Sequence, residues 1–244
     1  MKQQILKVTE NVRIAENIMK MSLESPELEE QKPGQFINIR LDGKFLRRPI
    51  SVCESDPGCL TIVYKVVGKG TEQMSRIRAG ERLDVLTGLG NGYDLAKSGD
   101  RPLLLGGGVG VPPLYLAAKK LAAQGKKVQA VLGFNTAAEV FGEEAFRALG
   151  CGVTVATADG SRGVKGFVTD AMPAEYSYIY TCGPEPMLRA VYRAAKTSGQ
   201  FSFEERMGCG FGACMGCSCK TITGYKRICR EGPVLEKEEI AWDA

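Results

Sequence analysis

The chain has no histidine among its 244 residues. That absence removes the commonest general base and excludes imidazole-bound metals and Ser-His-Asp catalysis. An enzyme built without histidine most easily leaves its chemistry to cofactors. No apolar run is long enough to cross a membrane, and no apolar signal core follows Met1; the segment after Gln4 is polar and alternating. The expected location is therefore a reducing cytoplasm, with no membrane partner. Neither sign of charge dominates, with 32 Lys+Arg against 28 Asp+Glu, so nothing calls for a nucleic-acid partner. Internal repeats and low-complexity segments are missing too. At about 150 residues per domain the length allows two compact domains and a small appendage.

What the chain does have is cysteine, nine in all. Four of them, Cys209, Cys214, Cys217 and Cys229, follow the spacing C-x4-C-x2-C-x11-C near the C-terminus. Four thiolates can hold a [2Fe-2S] cluster, and C-x4-C-x2-C is the opening spacing of plant-type ferredoxins. The last gap is shorter than in those proteins. Glycines at 208, 210, 212 and 216 suit a loop that turns its backbone around two irons and points N–H groups at sulfur. A four-cysteine zinc site is the structural alternative, but zinc usually takes two C-x2-C knuckles and only one is present. Cys219 stands too close behind Cys217 for either arrangement. Cys53, Cys59 and Cys151 read as small apolar residues.

The first hundred residues read as all-β. Segments 5–12, 18–23, 36–41, 49–52 and 60–67 alternate apolar and polar side chains, punctuated by Pro33-Gly34, Asp42-Gly43, Asp56-Pro57-Gly58 and Gly68-Lys69-Gly70. Short strands with regular turns predict a small antiparallel barrel. Beyond Asp100 the pattern becomes strand–helix alternation. Strands are expected at 102–105, 128–134, 153–157 and 178–181, and helices at 114–124, 137–149 and 185–196. That order predicts a parallel sheet covered on both faces. Gly106-Gly107-Gly108-Val109-Gly110 falls between the first such strand and its helix, where a diphosphate can approach bare backbone and helix N–H groups. The loop is not G-x-G-x-x-G; it reads G-x-G-x-x-P through Gly108, Gly110 and Pro113.

Barrel, glycine loop and cysteine run together resemble the ferredoxin–NADP reductase superfamily with an iron–sulfur appendage, and among its members the electron-transfer subunits of heteromeric, NAD-dependent dihydroorotate dehydrogenase. The resemblance covers essentially the whole chain. It implies three domains: a flavin-binding barrel over 1–97, a nucleotide-binding α/β domain over 98–200 and a cluster domain over 201–244. It implies an FAD site at Arg48-Pro49-Ile50-Ser51, with arginine on the diphosphate and serine near the isoalloxazine. Val63-Tyr64-Lys65 and Gly70-Thr71 are its further flavin segments. NAD(H) as substrate falls to Gly106–Gly110 and Cys182-Gly183-Pro184, and the cluster to Cys209, Cys214, Cys217 and Cys229. The implied partner is an FMN-containing catalytic subunit converting dihydroorotate to orotate in pyrimidine synthesis, in a two-plus-two heterotetramer.

A related reductase subunit serving a ferredoxin, sulfide or sulfite partner remains open. So does a non-catalytic nucleotide-binding module with structural zinc. Nucleotide choice is also open on the residues alone. Asp159 can bond a ribose 2′-hydroxyl, whereas Ser161-Arg162 can favour a 2′-phosphate. Around the cluster, Phe211, Ala213 and Met215 are the expected partner surface.

Overall fold

A computed structural model describes residues 1–242. β1 (Lys2–Ala15) and β2 (Ile18–Glu24) form an antiparallel hairpin. β3 (Phe36–Ile39), β4 (Arg48–Asp56), β5 (Cys59–Lys65), the short α1 (Lys69–Ser75) and β6 (Arg82–Leu89) follow. The six strands close into a barrel in the order β1-β2-β5-β4-β3-β6. Inward positions are apolar in alternation, with Leu6, Val8, Met21, Leu23, Ile37 and Ile62 at the centre. Closure leaves no unpaired sheet edge.

The second half contributes β7 (Pro102–Gly107), α2 (Pro112–Ala123), β8 (Gln129–Phe134), α3 (Glu143–Ala148), β9 (Gly152–Thr157), β10 (Val164–Lys165), β11 (Tyr178–Cys182), α4 (Glu185–Ala194) and β12 (Gly199–Ser202). A hairpin of β13 (Ser218–Thr221) and β14 (Gly224–Arg227) carries part of the cysteine run, and β15 (Val234–Glu236) follows it. The sheet order is β10-β9-β8-β7-β11-β12-β15, parallel except for β15, which pairs antiparallel with β12. Chain order reverses between β7 and β11, which opens a crevice at their carboxyl ends.

Two elements differ from the sequence expectation. The helix predicted over 137–149 is a single turn at Ala137–Glu139 and then α3, separated by Gly142 at φ 80°. The turn expected at Gly68-Lys69-Gly70 instead starts α1, with Gly68 as its N-terminal cap.

Barrel and sheet pack directly on each other. Lys119 of α2 reaches Glu54 at 2.7 Å and Asp56 at 3.1 Å on β4. Lys65 at the end of β5 meets Glu139 at 2.9 Å. No helix among the described residues is long and apolar enough to cross a membrane.

Candidate functional site

Alternation along β4 turns Ile50 and Val52 toward the barrel core and leaves Pro49 and Ser51 partly exposed on the outer wall. Arg48 lies across Gly70 of α1; a Cβ there would stand 2.1 Å from the arginine Nε. Among the described residues its guanidinium bonds only to main-chain carbonyls, those of Leu46 at 2.5 Å and Arg47 at 3.4 Å. A guanidinium with no carboxylate partner over a glycine cradle fits a diphosphate. Thr71 sits one residue on, its hydroxyl accepting the N–H groups of Val67 and Gly68 at 3.0 and 3.2 Å. Val63 packs in the core shared with Val111. Tyr64 turns into the barrel, where its hydroxyl donates to Asn11 at 3.0 Å and burial pushes it up to about 12. Lys65 is held by Glu139.

The glycine loop and the 182–184 segment meet at the crevice, since Gly106 on β7 pairs with Cys182 on β11. Side chains are excluded there by contact. A Cβ on Gly110 would lie 2.2 Å from the Cys182 carbonyl oxygen, and one on Gly107 would lie 2.5 Å from the Met187 sulfur and 3.2 Å from Pro184. Gly108 has φ +53° and open space above it. Tight packing beneath and free backbone above is the surface a diphosphate needs. Burial pushes the Cys182 thiol up to about 12. A cavity of about 460 Å³ runs between barrel and sheet, with Val63, Val111, Pro112, Glu143 and Arg162 among its walls.

The cysteine run brings its members together in two pairs. The Cys209 N–H donates to the Cys214 sulfur at 3.4 Å, and the Cys229 N–H to the Cys217 sulfur at 3.4 Å. Two pairs suit two irons, each taking two thiolates. Backbone N–H groups point at sulfur: Ala213 donates to Cys209 at 3.2 Å, Phe211 and Cys214 at 3.5 Å, and Cys229 donates to Cys217 at 3.4 Å. Burial alone would raise the Cys209 thiol; the N–H groups of Phe211, Cys214 and Ala213 outweigh it and bring it down to about 6. Cys229 is pushed up to about 12 by burial and by Cys217. Cys219 bonds outward to the Lys220 carbonyl, and Arg227 steadies the loop through the Gly212 carbonyl at 2.7 Å.

The strand between these groups is β3. Its outward residues are Phe36 and Asn38, and Asn38 stands opposite Pro49 of β4. The Asn38 amide donates to the Cys209 carbonyl at 3.2 Å, and a Cβ on Gly210 would meet that amide nitrogen at 2.3 Å. Phe36 packs in one apolar cluster with Cys217, Ile228 and Cys229. The cysteine loop thus rests on the strand adjacent to Arg48–Ser51. Asn38, 1% exposed, went unremarked in the sequence, as a polar residue in an alternating strand reads as surface. Glu139 and Glu143 were missed likewise, lying in what reads as one solvated helix.

The family model for the iron–sulfur cluster binding domain of dihydroorotate dehydrogenase B matches residues 204–241. The dihydroorotate dehydrogenase B (NAD(+)) electron transfer subunit of Fusobacterium nucleatum is 45% identical over 250 residues, covering 96% of each chain. Its counterpart in Bacillus caldolyticus is 46% identical, covering 93% of this chain and 94% of that one. Among solved structures, the NADH-dependent reduced ferredoxin-NADP oxidoreductase, studied for flavin-based electron bifurcation, superposes with a TM-score of 0.89 at 33% identity, over 98% of this chain and 90% of the other. An Amycolatopsis cytochrome P450 reductase shares the fold, with a TM-score of 0.69 at 22% identity over 79% of this chain and 65% of that one.

Proposed function

This chain belongs to the family of dihydroorotate dehydrogenase B electron-transfer subunits, and from that premise we propose that it passes electrons between NAD(H) and the FMN of a catalytic partner, by way of FAD and a [2Fe-2S] cluster. The partner interconverts dihydroorotate and orotate in pyrimidine synthesis, two copies of each subunit forming the complex. One observation carries the reading: the cysteine loop sits on β3, next to the strand bearing Arg48 and Ser51.

Bound FAD supplies the exchange between a hydride pair and single electrons. The residues around it hold and orient. Arg48 neutralises the diphosphate, with Gly70 leaving it room, and Ser51 offers a hydroxyl on the outer wall beside Pro49. The Gly106–Gly110 loop receives the nucleotide diphosphate, and Cys182-Gly183-Pro184 borders the nicotinamide end of the crevice. Cys209, Cys214, Cys217 and Cys229 would hold the cluster. N–H groups aimed at the Cys209 sulfur would offset its negative charge and so raise the reduction potential of a bound cluster.

Phe211 and Met215, exposed by 42% and 54%, stand on the same loop as these cysteines and form the partner surface. Hydrogen exchange of residues 209–217 slows when the catalytic subunit is added; unchanged exchange would refute that docking site.

The deciding experiment is an anaerobic titration of the purified chain with NADH, followed by visible absorption. Flavin and iron–sulfur bands both bleach, and orotate with the catalytic subunit restores them. A colourless, zinc-containing protein would sink the reading. A second reading, a reductase subunit serving another acceptor, draws on the 33% identity to the ferredoxin-NADP oxidoreductase. It keeps the same bleaching and loses the response to orotate.

A further inference from the structure

The residues beyond β9 divide two opposite charges between two places. Asp159 stands just past the carboxyl end of the strand with no cation bound to it among the described residues; its carboxyl accepts the Ser161 hydroxyl at 2.6 Å and the Ser161 N–H at 2.9 Å. These bonds hold it below the usual carboxylate range. Arg162, three residues on, has its main chain pinned to the same strand end, since Thr157 both donates to its carbonyl and accepts its N–H. Its guanidinium turns away from Asp159 to Glu143, at 2.6 Å. Glu143 is 13% exposed at the side chain and also binds Arg147 at 2.9 Å, so α3 itself anchors the acceptor. Both Glu143 and Arg162 line the cavity that begins at Val111 and Pro112, directly after the glycine loop.

We propose that Glu143 is a specificity-determining residue for the nucleotide: by holding Arg162 against α3 it withholds that guanidinium from a ribose 2′-phosphate. This rests on the nucleotide site proposed above. A 2′-phosphate brings close to two negative charges. Beside Asp159 and without Arg162 they face repulsion, whereas a 2′-hydroxyl can donate to Asp159. Arg162 is therefore a latent phosphate ligand, kept idle by a neighbour 19 residues away.

The test uses the complete chain with its cofactors and two readouts. One is calorimetric binding of 2′,5′-ADP against ADP; the other is the rate at which NADPH and NADH bleach the flavin. Glu143→Gln shifts both ratios toward the phosphorylated ligand by about tenfold, the equivalent of about 1.4 kcal/mol. Adding Arg162→Ala cancels the shift, which separates release of Arg162 from a general loosening of α3. Unchanged ratios in Glu143→Gln, with NADH still bleaching the flavin, would overturn the proposal alone. A wild-type chain that binds neither ADP nor NADH would overturn the nucleotide site and this proposal with it.

Discussion

The side-chain amide of Asn38 donates to the main-chain carbonyl of Cys209 at 3.2 Å, joining two segments 171 residues apart in the chain. Asn38 is buried on the outer wall of the barrel, and its carbonyl oxygen has no hydrogen-bond partner among the described residues. A buried orphan acceptor is a liability that a structure retains for a reason. Here the same side chain faces β4 through Pro49 and the cysteine loop through Cys209. Asn38→Ala removes one hydrogen bond, with a stability loss of about 1 kcal/mol. In stopped-flow spectra the cluster bands then bleach later than the flavin band, while the spin-resonance intensity of the reduced cluster stays full. Simultaneous bleaching, as in wild type, would show that the contact does not set the spacing.

Gly70→Ala tests the flavin cradle. The new Cβ falls 2.1 Å from the Arg48 Nε, so the guanidinium must leave its place. FAD affinity drops by about tenfold, or about 1.4 kcal/mol. Flavin fluorescence on dilution reads it directly, and affinity equal to wild type would remove Arg48 from the diphosphate site.

Glu139 makes the fit between barrel and sheet sensitive to acid. The hydrogen bond from Lys65 lowers its carboxyl below the usual range, helped by Asn135. The folded value lies below the unfolded one, about 4.3. The stabilisation is therefore complete above the unfolded value and disappears as pH falls through the folded one. Glu139→Gln is less stable than wild type at pH 7 by up to about 1 kcal/mol for a partly exposed pair. Urea unfolding at stepped pH shows that gap closing below about pH 4; a constant gap would assign the effect to packing.

Cys219 separates ligand from neighbour. Its sulfur bonds to the Lys220 carbonyl rather than to any of the other four cysteines of the run. Cys219→Ser retains wild-type iron and sulfide, whereas serine at Cys209, Cys214, Cys217 or Cys229 loses the cluster absorption. Iron and acid-labile sulfide assays decide it, and cluster loss in Cys219→Ser would revise the ligand set.

The barrel and the α/β sheet were legible because each element repeats one local rule. β1, β2 and β5 alternate over much of their length, and β7 ends in glycines that a close approach explains. The cysteine spacing carried its chemistry in the sequence as well. What stayed hidden depends on single positions or on distance. Gly142 at φ 80° cuts a continuous helical pattern in two, and α1 opens inside glycines that otherwise read as a turn. β15 offers three residues and gains its identity only from β12. The contacts Asn38–Cys209 and Glu143–Arg162 join side chains that are unremarkable where they stand in the sequence.

The cysteine hairpin leaves the sheet after β12 and returns to it at β15, the strand beside β12. Asn91, just past β6, holds the return strand again, donating to the Val234 carbonyl at 2.7 Å and accepting its N–H at 3.1 Å. Both ends of the excursion are thus clamped, and Asn38 fastens its middle. Such a module cannot travel as a swinging carrier between donor and acceptor. It is a stationary relay, so the distance an electron must cross is set by the fold and by where the partner docks.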